Sequence, residues 1–112
     1  MSGVNNMEFK IYPVTQHQDC TMEYNVVFDT PMTVREFVEY VVDKDNSVFG
    51  FVRIYGCNIL RRYQTGLVEF TNGVIESSVY DDISIPEQIV TSAKLYTDIS
   101  GSKRYEVLYE LD

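Results

Sequence analysis

His17, Asp19 and Cys20 fall within the run His17-Gln18-Asp19-Cys20. An imidazole, a carboxylate and a thiol this close are the ingredients of an activated thiol nucleophile or of a metal site. Their setting argues against both. They share one polar stretch, His17 is the chain's single histidine, and a metal would need further ligands from distant segments that no spacing marks. The run reads more simply as a solvated loop. Glu69 and Glu76 form an acid–base type of pair by composition, but paired carboxylates on a wet strand face are common surface. A glycine-rich phosphate loop, a GxSxG elbow and an HExxH pair are all missing. The expectation is a protein without catalytic activity and without a cofactor or metal.

A second constellation could bind rather than react. Arg53, Arg61 and Arg62 lie in a stretch without an acidic residue, interleaved with Tyr55 and Tyr63. Arginine forks and tyrosine rings together suit a carboxylate, a phosphate or a base face. The competing reading is internal pairing, because 17 acidic residues face 9 basic ones. Tyr12 and Tyr80 join the candidates, since each falls on the strand face opposite its apolar neighbours and tyrosine is favoured at interfaces.

The elements that must carry these residues follow from periodicity. Residues 7–14 alternate, with Met7, Phe9 and Ile11 opposite Glu8, Lys10 and Tyr12, which predicts a half-buried strand weakened at Pro13. Residues 22–29 alternate again, so the pair makes a hairpin around the polar 15–21 loop. Thr33 and Glu36 form a capping box, flanked by Met32 and Phe37 at the staple positions. Val34, Phe37, Val38, Val41 and Val42 then mark one apolar stripe of a helix over 33–43, ending near 43–46. Residues 48–55 are apolar enough for a strand buried on both faces and central in its sheet. Residues 57–65 are open between a short strand and an irregular crossing. Asn72-Gly73 predicts a type I′ hairpin pairing Thr71 with Val74, Phe70 with Ile75 and Glu69 with Glu76. Val68, Phe70, Ile75 and Val79 would then share a face. Residues 87–99 read as helix or strand, the β-rich second half favouring a strand ending at Ile99. Residues 105–111 alternate as a last strand.

The order β-β-α-β followed by further hairpins defines a single α+β domain over 1–112: one mixed or antiparallel sheet with one main helix packed on it. Residues 1–6 read as disordered or tag-like. This element order resembles the β-grasp (ubiquitin-like) fold. That resemblance implies a central first strand and a helix crossing one face; another α+β sheet carrying one helix is the runner-up. No motif of the β-grasp families matches residue by residue. The chain ends Tyr109-Glu110-Leu111-Asp112 rather than in Gly-Gly, which speaks against a conjugated modifier or a sulfur carrier. Its two cysteines, Cys20 and Cys57, are too few for a ferredoxin-type cluster and are expected as free thiols.

Composition bounds the function. The 112 residues are 45% hydrophobic and 23% charged, which suits a folded domain, and the net charge is −8. Such a balance disfavours direct nucleic-acid binding and adsorption on an anionic membrane. No apolar run reaches the roughly 20 residues of a membrane span, and the first residues lack a signal-peptide pattern, so the expected location is cytoplasmic. The leading expectation is a non-catalytic protein-interaction module. Its partner is another protein, with a basic surface as the form suggested by net charge, and homo-oligomerisation stays open. The alternatives are an acidic phage-type inhibitor or nucleic-acid mimic, and a small enzyme or ligand-binding domain whose site forms on oligomerisation.

Overall fold

The helix nucleates as its cap predicts. In the computed structural model, which describes residues 9–111, α1 spans Val34–Lys44 with Thr33 at the N-cap. The Thr33 hydroxyl accepts from the Glu36 amide at 3.1 Å, and the Glu36 carboxylate accepts from the Thr33 amide at 2.9 Å. Two of the otherwise unpaired amides of the first turn are thereby satisfied. The staple residues Met32 and Phe37 are both buried. Residues 88–90 hold the same end: Val34 N donates to Gln88 O and Val90 N to Met32 O. Arg35 adds an ion pair to Glu87 in the 3-10 turn Ile85–Glu87.

Among the described residues, seven strands form the sheet on which this helix packs: β1 (Phe9–Gln16), β2 (Met22–Phe28), β3 (Gly50–Cys57), β4 (Arg62–Thr71), β5 (Val74–Tyr80), β6 (Val90–Thr97) and β7 (Lys103–Glu110). They form one mixed sheet in the order β1-β2-β6-β7-β3-β4-β5, antiparallel throughout except for the parallel pair β3/β7. The architecture is α+β with a single sheet and one α-helix. The expected disorder of residues 1–6 and the predicted strand positions Met7 and Glu8 lie outside the described residues.

The β-grasp resemblance predicts a central β1, and the structure corrects it: β1 is an edge. Pro13 has no amide to donate, and the β1/β2 register breaks between Pro13 and Thr15. A strand with such a defect fits only where one side needs no ladder. The interior place goes to β7, whose Tyr105, Val107 and Tyr109 are buried. The β6–β7 hairpin thus wedges between β2 and β3 and parts the N-terminal hairpin from the rest.

Alternating residues from β2, β6, β7, β3 and β4 make the core beneath α1. Val26, Ala93, Leu95, Tyr105, Val107, Val52, Ile54, Val68 and Phe70 all belong to it. Strand β3 is interior, as expected, and its second face is closed only in part: Gly50, Val52, Ile54 and Gly56 are buried on the helix side, while on the other Phe51 and Arg53 are half-buried and Tyr55 is buried. Gly50 lies flat against Phe70, and an added Cβ would stand 2.6 Å from Phe70 Cζ. Gly50→Ala should therefore destabilise by about 1–3 kcal/mol through overpacking. Chemical denaturation measures this, and an unchanged midpoint would show that Phe70 can move aside.

The β4–β5 turn forms at Asn72 and Gly73 with φ of 52° and 79°, both in the left-handed region that a type I′ turn requires. Thr71 pairs with Val74 and Phe70 with Ile75, as expected. The pairing of Glu69 with Glu76 does not occur. The register shifts after Phe70, so Glu69 opposes Ser77 and accepts a 2.9 Å hydrogen bond from its hydroxyl. Glu76 becomes the extra residue of a bulge, which removes a like-charge contact. A one-residue slip also exchanges the two faces beyond it. Val79 now pairs with Leu67 and is exposed, while Tyr80 pairs with Gly66 and packs against the core.

The two ambiguous segments settle as strand-bearing. Residues 58–61 are a tight turn and β4 begins at Arg62, making β3–β4 a hairpin. Residues 85–87 are the 3-10 turn, and 90–97 are strand β6.

Candidate interaction face

The helix covers one side of the sheet only. On the other side, strand parity and register bring together side chains from four strands. Lys94 of β6 stands beside Glu106 of β7, and Glu106 beside Arg53 of β3. The next row reads Tyr96, Arg104 and Phe51, and Leu108 stands beside Tyr55. Arg62 enters from the start of β4, opposite Cys57.

Three arginines lie over aromatic rings of this face. Arg62 Cζ sits 4.1 Å from the Tyr55 centroid, Arg104 Cζ 4.3 Å from that of Tyr96, and Arg53 Cζ 5.2 Å from that of Phe51. At these distances each cation lies against the negative face of a ring quadrupole. Arg53 has no ion pair among the described residues, and buried Arg104 Nε, 3.5 Å from Glu106 Oε2, has no hydrogen-bond partner.

Two carboxylates sit low within the cluster. Glu106 lies between Arg62 and Arg104, 3.6 Å and 3.5 Å away. Glu23 accepts from Lys94 Nζ at 2.8 Å and lies 2.9 Å from His17 Nε2. The Lys94 hydrogen bond, then that of His17, holds the Glu23 carboxyl below its usual range, and Glu23 in turn holds Lys94 above its own. Burial pushes the Tyr96 phenol up, so it stays protonated at neutral pH. On a chain of net charge −8, these four cations share the face with four carboxylates: Glu23, Glu106, Glu69 opposite Phe51, and Glu110 opposite Cys57.

Not every expected binding residue belongs here. Arg53, Tyr55 and Arg62 do. Tyr12 shares the face but lies on the edge strand, half-exposed opposite Asn25. Arg61 sits in the β3–β4 turn and stacks on Tyr63, 5.5 Å from its centroid; Tyr63 opposes Gly56, whose side of β3 faces the core. Tyr80 is lost to the helix side by the β5 bulge. The run around His17 disperses as well. Asp19 accepts from the Thr21 amide at 3.0 Å, Cys20 is exposed with φ of 71°, and His17 turns to Glu23. Cys20 and Cys57 are both free. Among the described residues, no group of three potential metal ligands comes together, and no helix is long and apolar enough to cross a membrane. The contributors missed from sequence are Lys94, Tyr96, Arg104, Glu106 and Glu23. Their strands alternate legibly, but only the strand order makes them neighbours.

A groove of about 700 Å³ opens at one end of the face, between the β3–β4 turn and the end of β7. Ile59 and Leu60 form its outer wall at 99% and 85% exposure. Leu108 and Leu111 line its inner side. Comparison with family models, with curated proteins and with solved structures finds no match to this chain.

Proposed function

We propose that this protein is a non-catalytic protein-interaction domain that docks through the uncovered face of its sheet. The observation that carries the reading is the row of arginine–aromatic contacts on that face. Arg53, Arg62, Lys94 and Arg104 stand together on the one face the helix leaves open, interleaved with Glu23, Glu69, Glu106 and Glu110. Three of them are pre-oriented on Phe51, Tyr55 and Tyr96. Arginine and aromatic residues are the types that dominate binding energy at protein interfaces. Face docking also fits better than strand addition at an edge. Edge β1 carries Pro13 and a bulge, and edge β5 carries the Glu76 bulge, both devices that blunt pairing with another chain.

Affinity capture from the native host with mass spectrometry tests this. The wild type should retain proteins that the Arg53→Gln/Arg104→Gln variant loses and that Glu39→Gln, changed on the exposed side of α1, keeps. Identical captures by all three would remove the uncovered face from the function.

A further inference from the structure

We propose that Asn72 is a site of spontaneous covalent modification, where the Gly73 amide nitrogen displaces the Asn72 side-chain amide and the residue becomes isoaspartate or aspartate. The bond that forms joins Gly73 N to Asn72 Cγ. The bond that breaks is Cγ–Nδ2, so ammonia leaves. Water then opens the resulting succinimide ring at either carbonyl. Opening at Cγ leaves aspartate. Opening at the backbone carbonyl leaves isoaspartate, with the chain running through the former side chain. The sum is amide plus water giving carboxylate plus ammonium, with nothing oxidised or reduced.

The fold singles out this asparagine among Asn25, Asn46, Asn58 and Asn72, those of the described residues. Asn25 sits inside β2, paired with Tyr12 on one side and Lys94 on the other, and the β-branched Val26 follows it. Asn46 precedes Ser47, whose amide is held by Asp45 Oδ1 at 2.9 Å. Asn58 uses its Oδ1 on the amides of Leu60 at 2.8 Å and Arg61 at 2.9 Å, with β-branched Ile59 next in the chain. Asn72 is exposed, and among the described residues neither its side chain nor the Gly73 amide makes a hydrogen bond. Gly73 has no Cβ to crowd the forming ring.

The closed turn holds the reaction back. In a type I′ turn the Asn72 ψ angle keeps Gly73 N on the far side from Cγ, so the ring closes only after the turn opens. What must open is local. The turn leads into edge strand β5, which pairs with β4 alone. It is tied to the helix side of the chain by the bond from Asn72 N to Ser47 O, 2.8 Å. Edge segments of this kind open at far lower cost than the whole domain unfolds.

The product does not fit back. Isoaspartate adds a main-chain carbon to a two-residue turn whose length sets the hairpin register. It also brings a carboxylate to the end of α1, where a Cβ added to Gly73 would stand 3.5 Å from Val42 O and 3.6 Å from Asn46 Oδ1. Negative charge is unfavourable at a helix C-terminus. Conversion therefore unseats the β4–β5 hairpin from the segment that follows α1.

Ageing the full-length protein in neutral and mildly alkaline buffer, with peptide mapping by mass spectrometry and electron-transfer fragmentation, tests this. Asn72 should exchange NH for O and yield isoaspartate with aspartate, faster at the higher pH because the deprotonated amide attacks. Asn25, Asn46 and Asn58 should stay intact over the same time. The aged protein should melt about 4 °C or more below the fresh protein. Asn72→Asp keeps a turn-forming Asp-Gly pair and adds only the charge, so it should lose less. Asn72→Gly suits the turn and has no side-chain amide, so its melting temperature should not change with age. An Asn72 that stays intact in the native protein while it converts in urea, or earlier conversion at another described asparagine, would overturn the proposal. So would an equal fall in melting temperature on ageing Asn72→Gly.

Discussion

Phe37→Ala should lower the unfolding free energy by about 3–5 kcal/mol, the cost of removing a fully buried aromatic side chain that the core cannot refill. Phe37 has no solvent exposure and is the joint between the helix and both halves of the sheet. Its ring lies 6.2 Å from that of Phe9 on β1, 5.9 Å from Phe28 on β2 and 6.1 Å from Tyr105 on β7. Two separate hairpins, β1–β2 and β6–β7, therefore lose a shared contact. The helix depends on that contact, because Val34, Val38, Val41 and Val42 give it weak intrinsic propensity and leave packing to hold it. Urea titration reads the loss as a lower midpoint at unchanged slope. A change below about 1 kcal/mol would mean that a neighbouring ring, Tyr40 or Tyr105, collapses into the space.

The local parts of this fold are written locally. Thr33, Glu36 and the valine stripe specify α1 within a dozen residues, and Asn72-Gly73 specifies its turn, because cap and turn chemistry act over three or four residues. The bulge after Phe70 escapes such reading. Nothing in the pattern Glu69 to Ser77 shows that two facing carboxylates are relieved by slipping one residue, yet that slip decides which way Val79 and Tyr80 point. Strand order escapes too, since it depends on which strands tolerate an open side. Pro13 carries that information for β1, which element order alone does not. The candidate face is the consequence of both. Arg53, Tyr55 and Arg62 are near one another in sequence and legible together, whereas Lys94 and Arg104 reach them only because β6–β7 inserts beside β3. The groove wall is hidden differently: Ile59 and Leu60 read as buried residues by type, and the Asn58 turn holds them outward.

Asp45→Ala should cost about 1–3 kcal/mol for each buried donor it leaves without an acceptor, and more than one donor is at stake. Asp45 follows the last turn of α1 and is 6% exposed. It accepts from the Ser47 amide at 2.9 Å, from the Ser47 hydroxyl and from the buried Tyr105 hydroxyl at 3.0 Å, with Lys103 Nζ 3.4 Å away. Burial alone would push its carboxyl up. The two Ser47 bonds, the Lys103 charge and the Tyr105 bond together outweigh that and hold it below the ordinary range. Burial, then the Asp45 charge, pushes the Tyr105 phenol far up, so the hydroxyl stays protonated and keeps donating through neutral and mildly alkaline pH. A carboxyl depressed in the folded state stabilises fully above its unfolded value, about 3.9, and loses that stabilisation as pH falls through the folded value. Stability measured from neutral pH down into acid should therefore fall more steeply in the wild type than in Asp45→Asn. Asparagine keeps one acceptor and has no proton to bind, so the difference between the two curves isolates Asp45 from the other depressed carboxylates, Asp19, Glu23, Asp82 and Asp98. The gap between wild type and Asp45→Asn should be widest at neutral pH and close in acid. Parallel curves would show that Asp45 binds protons equally in both states, and the network would then hold α1 to β7 by shape rather than by charge.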